Sequence, residues 1–337
     1  MTESRPHEIQ VGGPYFDDLT VGQVFDSAPA VTLTSGLSAA HQAIVGDRLH
    51  LALDRHLATA VTRSTDAIAH PGLAWDIAIG QSTVATHHVR ANLFYRGLQF
   101  HRFPHLGDTL HTRTVVVGLR ENSSKPGRAP TGMAALRVTT TDHDGNTVLD
   151  FYRCAMLTLS STADPNRTVH SSDLSRIGPA DVPDYQVPEG WDLEQYRSRV
   201  PGKHFDEELI GSVFRSSGDV VTNAPELARL TLNIAATHHD ERTSEAGRLV
   251  YGGHTIGLAL AQVGRALPNL VTILGWTSCD HTAPVSEGDT LTSELQIVGA
   301  DRLVDGWAVH LRSIVFSHNT IAVGTPVLDW RLTALMA

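Results

Sequence analysis

The sequence predicts an α+β protein made of two tandem copies of one folding unit. Segment 16–25, FDDLTVGQVF, recurs as FDEELIGSVF at 205–214. The tetrapeptide GDTL at 107–110 recurs at 288–291, and each occurrence precedes an apolar, β-rich stretch. Two matches in the same order and at nearly equal spacing indicate an internal duplication.

Each copy contains a glycine-opened apolar run, at 71–79 and at 252–261. Each run is too long and too uniformly apolar for a surface helix, so we expect a buried central helix. A polar–apolar helical segment precedes each run, at 37–60 and at 225–240. Strands are predicted after the runs, at 109–119, 132–141, 147–159, 290–298 and 307–316.

Turn signals between the last strands indicate antiparallel pairing in both copies. The first copy has DHDGN at 142–146, and the second has Asp305-Gly306. Both are typical of tight hairpins. One buried helix wrapped by an antiparallel sheet is the hotdog arrangement, so the sequence predicts a tandem double hotdog.

The predicted domains are an N-terminal hotdog at 1–162, a linker at 163–202 and a C-terminal hotdog at 203–337. The linker is rich in proline, serine and aspartate. This composition favours an extended, poorly packed connection over a regular element.

The overall composition is that of an ordinary globular protein, with 41% hydrophobic and 18% charged residues among 337. A formal charge of -10 argues against nucleic-acid binding, because a phosphate backbone requires a basic face. The two cysteines, Cys154 and Cys279, have no metal-ligand spacing and are expected to be reduced thiols. With no signal-peptide pattern at residues 1–8 and no membrane-length apolar run, we expect a cytoplasmic protein.

Four segments resemble the MaoC-like (R)-specific enoyl-CoA hydratases and dehydratases, and most closely the mesaconyl-CoA hydratase (β-methylmalyl-CoA dehydratase) group. They are NLFYRG at 92–97, ARLTLNIAATH at 228–238, LVYGGHTIGLA at 249–259 and HTAP at 281–284. The resemblance covers nearly the whole chain except the linker. It implies a double hotdog that hydrates an enoyl thioester of CoA or acyl carrier protein, with no metal or redox cofactor.

The hydratase motif of this family is GDxNPLH, in which an Asp and a His five residues apart hold and activate water. In the second copy His238 matches the histidine, but Asn233 stands at the aspartate position. In the first copy Asp47 matches the aspartate, but Ala52 replaces the histidine. The resemblance therefore implies that His238 is the acid/base, that Asn233 orients the water, and that the first copy shapes the acyl pocket.

The same resemblance assigns the thioester oxygen to the backbone N–H of Gly253, at the start of the second central helix. It also places Tyr251, Gly252, His254 and Tyr95 near the substrate. Four of the assigned residues have a structural alternative: His238 as a partly buried histidine, Asn233 as a capping amide, His254 as a turn-stabilising residue, and Tyr95 as a strand-edge aromatic.

Two other functions remain open from the residues alone. Asp76 lies in the first apolar run, where hotdog thioesterases carry a carboxylate base. The split Asp/His motif is also compatible with an acyl-thioester binder that has lost catalysis. The oligomeric state is open as well, because either a monomer with an internal pseudo-dimer or a homodimer of such units fits a fused pair.

Overall fold

A computed structural model describes residues 11–337 apart from 125, 165, 180, 182, 244–246 and 321–322. The expectation that residues 1–8 do not form a signal peptide concerns residues outside the described part of the chain. Within the described residues, no helix combines the length and the apolar character needed to cross a bilayer.

Twelve strands and seven α-helices make up the described chain. The helices are α1 (Ser35–Val45), α2 (His50–Leu53), α3 (Arg55–Thr62), α4 (Pro71–Gln81), α5 (Leu193–Arg199), α6 (Ala224–Leu230) and α7 (Gly252–Ala266). The first-half strands are β1 (Val24–Phe25), β2 (Val31–Thr32), β3 (Val89–Phe100), β4 (Thr109–Glu121), β5 (Thr131–Thr141) and β6 (Thr147–Thr158). The second-half strands are β7 (Val213–Arg215), β8 (Asp219–Val220), β9 (Leu270–His281), β10 (Thr290–Leu303), β11 (Gly306–His318) and β12 (Val323–Met336).

One continuous antiparallel sheet runs through both copies in the order β1-β4-β5-β6-β3-β9-β12-β11-β10-β7. The order β4-β5-β6-β3 in the first half is mirrored by β10-β11-β12-β9 in the second. The halves meet where β3 pairs with β9, with Tyr95 opposite Cys279. The tandem double hotdog predicted from the repeat is therefore confirmed.

The two central helices form as the apolar runs predict. In α4 all eleven residues are buried; Pro71 occupies its first turn, and the His70 side chain accepts a hydrogen bond from the Gly72 amide. Such an N-terminus is favourable because it satisfies an amide that has no partner within the helix. Three buried tryptophans, Trp75, Trp276 and Trp330, pack edge to face where the halves join.

The helical segments before the central helices are shorter than predicted. Segment 37–60 forms the three helices α1 to α3, which are separated by breaks near Gly46 and Asp54. Segment 225–240 forms only α6, followed by a single 3-10 turn at Ala236–His238. A left-handed residue, Leu232, ends the helical path and leaves Asn233 and His238 on an irregular loop.

The prediction of a uniformly extended linker is wrong for Leu193–Arg199. This stretch forms α5, in which Asp192 caps the helix and Leu193 and Tyr196 are completely buried. The Tyr196 hydroxyl donates to the Leu270 carbonyl oxygen at 2.9 Å. Burial of these two large side chains stabilises the helix. The proline-rich composition of the segment contains no signal for this tertiary contact.

Candidate active site

A cavity of about 340 Å³ lies between the two halves of the chain. The first half contributes the end of α4, the start of β3 and one residue of β6. The second half contributes the Asn233 loop, the start of α7 and the residues after β9. Its polar and aromatic lining includes Asn92, Tyr95, Arg153, Asn233, His238, Tyr251 and His281.

His238 presents one ring nitrogen to this cavity. Its Nδ1 lies 2.9 Å from the Leu249 carbonyl oxygen, an acceptor, so Nδ1 carries the hydrogen and donates it. Nε2 is left as an unprotonated acceptor. Burial lowers the pKa of His238 to about 4 against the opposing effect of the Leu249 bond, and the nearby His239 and Arg153 lower it further. His238 is therefore a neutral imidazole able to accept a proton at physiological pH.

Asn233 is held in the same cavity by its own loop. Its Oδ1 accepts a hydrogen bond from the Ala235 amide at 3.0 Å, and its backbone N–H donates to the Ala228 carbonyl oxygen at 2.8 Å. The loop is also tied to the first half, since the Ile234 amide donates to Thr83 Oγ1 at 3.0 Å. The cavity thus depends on contacts between the halves.

The N-terminus of α7 forms the third side of the site. Gly252, the first helical residue, lines the cavity, and the side chain of Tyr251 does so beside it. Amides in the first turn of a helix have no intrahelical partner and can hold an oxygen that gains negative charge. The rings of His238 and Tyr251 are 5.7 Å apart, so the base and the helix N-terminus face one site.

Comparisons with known proteins agree with the double hotdog fold. A conserved hypothetical protein from Mycobacterium tuberculosis with a double hotdog fold is 60% identical, covers 98% of this chain and 100% of its own, and superposes with a TM-score of 0.92. A structure from Chloroflexus aurantiacus assigned to the MaoC domain dehydratases is 26% identical over 98% and 99% of the two chains, with a TM-score of 0.83. The chain is a member of the double-hotdog family and is similar to the MaoC-like dehydratases.

No family model matches the chain. It is similar in sequence to two curated enzymes. The β-methylmalyl-CoA dehydratase of Chloroflexus aurantiacus is 29% identical over 298 residues, which is 85% of this chain and 82% of the relative. The mesaconyl-CoA hydratase of Cereibacter sphaeroides is 26% identical over 318 residues, which is 91% of this chain and 90% of the relative.

Two residues assigned from the MaoC-like resemblance do not line the cavity. Gly253 packs instead against the Tyr251 ring and the Asp76 carboxylate, which a Cβ at this position would overlap. His254 is completely buried in α7, and neither of its ring nitrogens has a hydrogen-bond partner among the described residues. Gly252 is therefore the glycine that lines the cavity, and the assignment of the thioester oxygen to the Gly253 backbone N–H stays a prediction.

Asp47, the aspartate of the hydratase motif in the first copy, is buried and paired with a histidine. Asp47 Oδ1 is 3.0 Å from His70 Nε2, and both side chains are buried. Nearby, Asp76 Oδ2 is 3.0 Å from His41 Nε2, and Tyr251 donates to the Asp76 carbonyl oxygen at 3.2 Å. None of these four acids and histidines lines the cavity between the halves. Asp76 is therefore not placed as the thioesterase alternative requires.

Three cavity residues were not assigned a role from the sequence. They are His281 at the end of β9, Asn92 on β3 and Arg153 on β6. His281 faces the helix N-terminus, since a Cβ on Gly252 would lie 2.8 Å from His281 Nε2. Burial, with a smaller effect of the nearby His238, lowers the pKa of His281 to about 4. His281 and Asn92 lie in two of the segments that carry the MaoC-like resemblance, whereas the signal for Arg153 was only a polar residue at an inward strand position, two residues after the buried Phe151.

His254 leads us to expect acid-dependent destabilisation. Burial lowers its pKa to about 4, partly opposed by Glu287 and reinforced by His41. The unfolded chain therefore binds this proton more readily below pH 6.5, and the contribution of His254 to stability should fall by about 3 kcal/mol as pH drops from 6.5 towards 4. Urea unfolding of wild type and His254→Leu across this range measures the effect. An equal loss in both proteins would contradict this assignment.

Proposed function

We propose that this chain catalyses the reversible hydration of an enoyl thioester, which in reverse is dehydration of a 3-hydroxyacyl thioester. The observation that carries the proposal is the neutral His238. Its free Nε2 faces a cavity that also contains Asn233 and the N-terminus of α7. The cavity therefore combines a base, a water-holding amide and a site for a developing oxyanion.

In the hydration direction His238 Nε2 removes a proton from water while the water oxygen bonds to C3. The electron pair of the C2–C3 double bond moves towards the thioester carbonyl, whose oxygen becomes enolate-like. The first amides of α7 at Gly252 stabilise that oxygen without the cost of a buried cation. The proton on His238 then passes to C2, so the base is regenerated and no redox cofactor or metal is required.

Asn233 cannot take the proton, since an amide does not titrate in this range. Its Oδ1 already accepts from the Ala235 amide and keeps a second lone pair for the other hydrogen of the water. It thereby directs the water lone pair towards C3. Proton transfer is left to His238 alone.

The names of the two curated relatives support CoA as the carrier and a short dicarboxylic acyl group as the substrate. We also infer a cytoplasmic location, which the two buried free thiols Cys154 and Cys279 support. Division of labour between a pocket-shaping first half and a catalytic second half is part of the same proposal.

The test is loss of enoyl-thioester ultraviolet absorbance with crotonyl-, fumaryl- and mesaconyl-CoA and one longer 2-enoyl-CoA. We expect turnover of at least one short substrate, with a 3-hydroxyacyl product identified by mass spectrometry. Release of free CoA with the double bond intact would support a thioesterase instead. Tight binding without any turnover would support an inactive acyl-thioester binder.

A further inference from the structure

Arg153 is a buried cation at the wall of the cavity. It lies on β6, only 3% of its surface is exposed, and it lines the cavity together with residues of both halves. Its position in the strand is inward-facing, in phase with the buried Phe151 and Ala155. A charged side chain at such a position costs several kcal/mol unless an opposite charge compensates it.

The protein supplies Arg153 only with neutral partners. Nη1 donates to Ser82 Oγ at 2.8 Å and to the Ile79 carbonyl oxygen at 3.4 Å, and Nη2 donates to Thr86 Oγ1. Nε has no partner. Among the described residues, no aspartate or glutamate forms an ion pair with this guanidinium.

A purely structural role accounts for part of this arrangement. The Ile79 carbonyl belongs to the last turn of α4, where a cation is favoured by the helix dipole. Three neutral acceptors do not neutralise a full charge, however, and they leave the guanidinium without an anion at a cavity wall. An anionic group on the bound molecule would supply both the missing charge and an acceptor.

We infer that Arg153 determines acyl specificity by pairing with a free carboxylate at the end of the acyl group opposite the thioester. This inference deepens the proposed function, because it assigns the residue that separates dicarboxylic from simple acyl thioesters. Asn92 lines the same cavity, and neither of its amide atoms is hydrogen-bonded to a residue that the structure describes. It can donate to the same carboxylate.

The size of the cavity agrees with a short acyl chain. Arg153 is near enough to His238 for its charge to lower the pKa of the imidazole. The reacting carbons at His238 and the terminal carboxylate at Arg153 therefore lie within one small cavity of about 340 Å³. A carboxylate on Arg153 would also screen that charge from His238 when the substrate is bound.

Binding tests the inference without depending on catalysis. Succinyl-CoA and butyryl-CoA differ by a carboxylate in place of a terminal methyl, and neither can be hydrated. We expect calorimetry to show roughly 100-fold tighter binding of succinyl-CoA by the wild type. Arg153→Met should abolish the difference, and Arg153→Lys should keep part of it. Arg137→Met is the matched control, because Arg137 is exposed on β5 and pairs with Asp150.

Turnover provides the second measurement, with fumaryl-CoA against crotonyl-CoA as the matched pair. Wild type should favour fumaryl-CoA, and Arg153→Met should lose that preference, measured as the ratio of the kcat/KM values for the two substrates. Equal binding of succinyl-CoA and butyryl-CoA by the wild type would overturn the inference. An equal loss of affinity for both ligands in Arg153→Met and in Arg153→Lys would also overturn it. Selective binding of succinyl-CoA without any turnover would instead refute the hydratase proposal and leave the carboxylate site standing.

Discussion

Replacing His238 with alanine is expected to lower kcat/KM for enoyl-CoA hydration by roughly 10³-fold, because a positioned acid/base contributes a factor of this size. His238 is the cavity group with both a fixed tautomer and a free ring nitrogen, set by the bond from Nδ1 to the Leu249 carbonyl oxygen. Asn233 cannot replace it. Steady-state rates with the best substrate of the panel measure the effect.

Two further measurements separate a catalytic role from a structural one. External imidazole should restore part of the rate of His238→Ala, since the vacated space opens onto the cavity. His143→Ala is the control, because His143 is an exposed residue of the β5–β6 turn. Retention of more than about a tenth of wild-type activity by His238→Ala would remove His238 as the acid/base.

Replacing Gly80 with alanine is expected to destabilise the protein by about 3 kcal/mol and to remove most of its activity. A Cβ at Gly80 would overlap the carbonyl oxygen of Thr231 and lie 3.2 Å from the backbone nitrogen of Asn233. The neighbours are backbone atoms, so they cannot avoid the clash by changing a rotamer. The loop that carries Asn233 and His238 would have to move away from α4.

The matched control is the same substitution in the other central helix. A Cβ at Gly264 in α7 would meet only Arg48 Cβ, at 4.0 Å. Gly264→Ala should therefore be neutral or stabilising by up to about 1 kcal/mol, as expected for alanine in a helix. Thermal unfolding and hydration rates of both variants provide the comparison. Equal stability of the two would show that the halves are not held together at Gly80.

Much of the fold could be predicted from local pattern. The repeated segments, the apolar runs and the DHDGN turn predicted the duplicated helix-and-sheet arrangement, which the continuous sheet confirms. Periodicity and turn chemistry suffice for these elements because they depend on nearby residues. The helix α5 could not be predicted in this way, since its stability depends on burial of Leu193 and Tyr196 against distant residues.

The candidate site was predictable only in part. The resemblance indicated His238, Asn233, Tyr251, Gly252 and Tyr95, and the structure places all five at one cavity. It also indicated Gly253 and His254, which are not among the residues that line the cavity. Side chains on one helix that differ by a single position point about 100° apart, so a motif match alone does not reveal that the His254 side chain is buried.

The sequence by itself determined that the protein is a duplicated α+β chain and which of its halves retains the histidine of the hydratase motif. These properties follow from repeats, periodicity and the identities of single residues. The tertiary structure alone decided that the cavity lies between the halves, that Gly80 supports the Asn233 loop, and that Arg153 and His281 join the site. Strands far apart in sequence bring these groups together, and the packing that places them has no local signature.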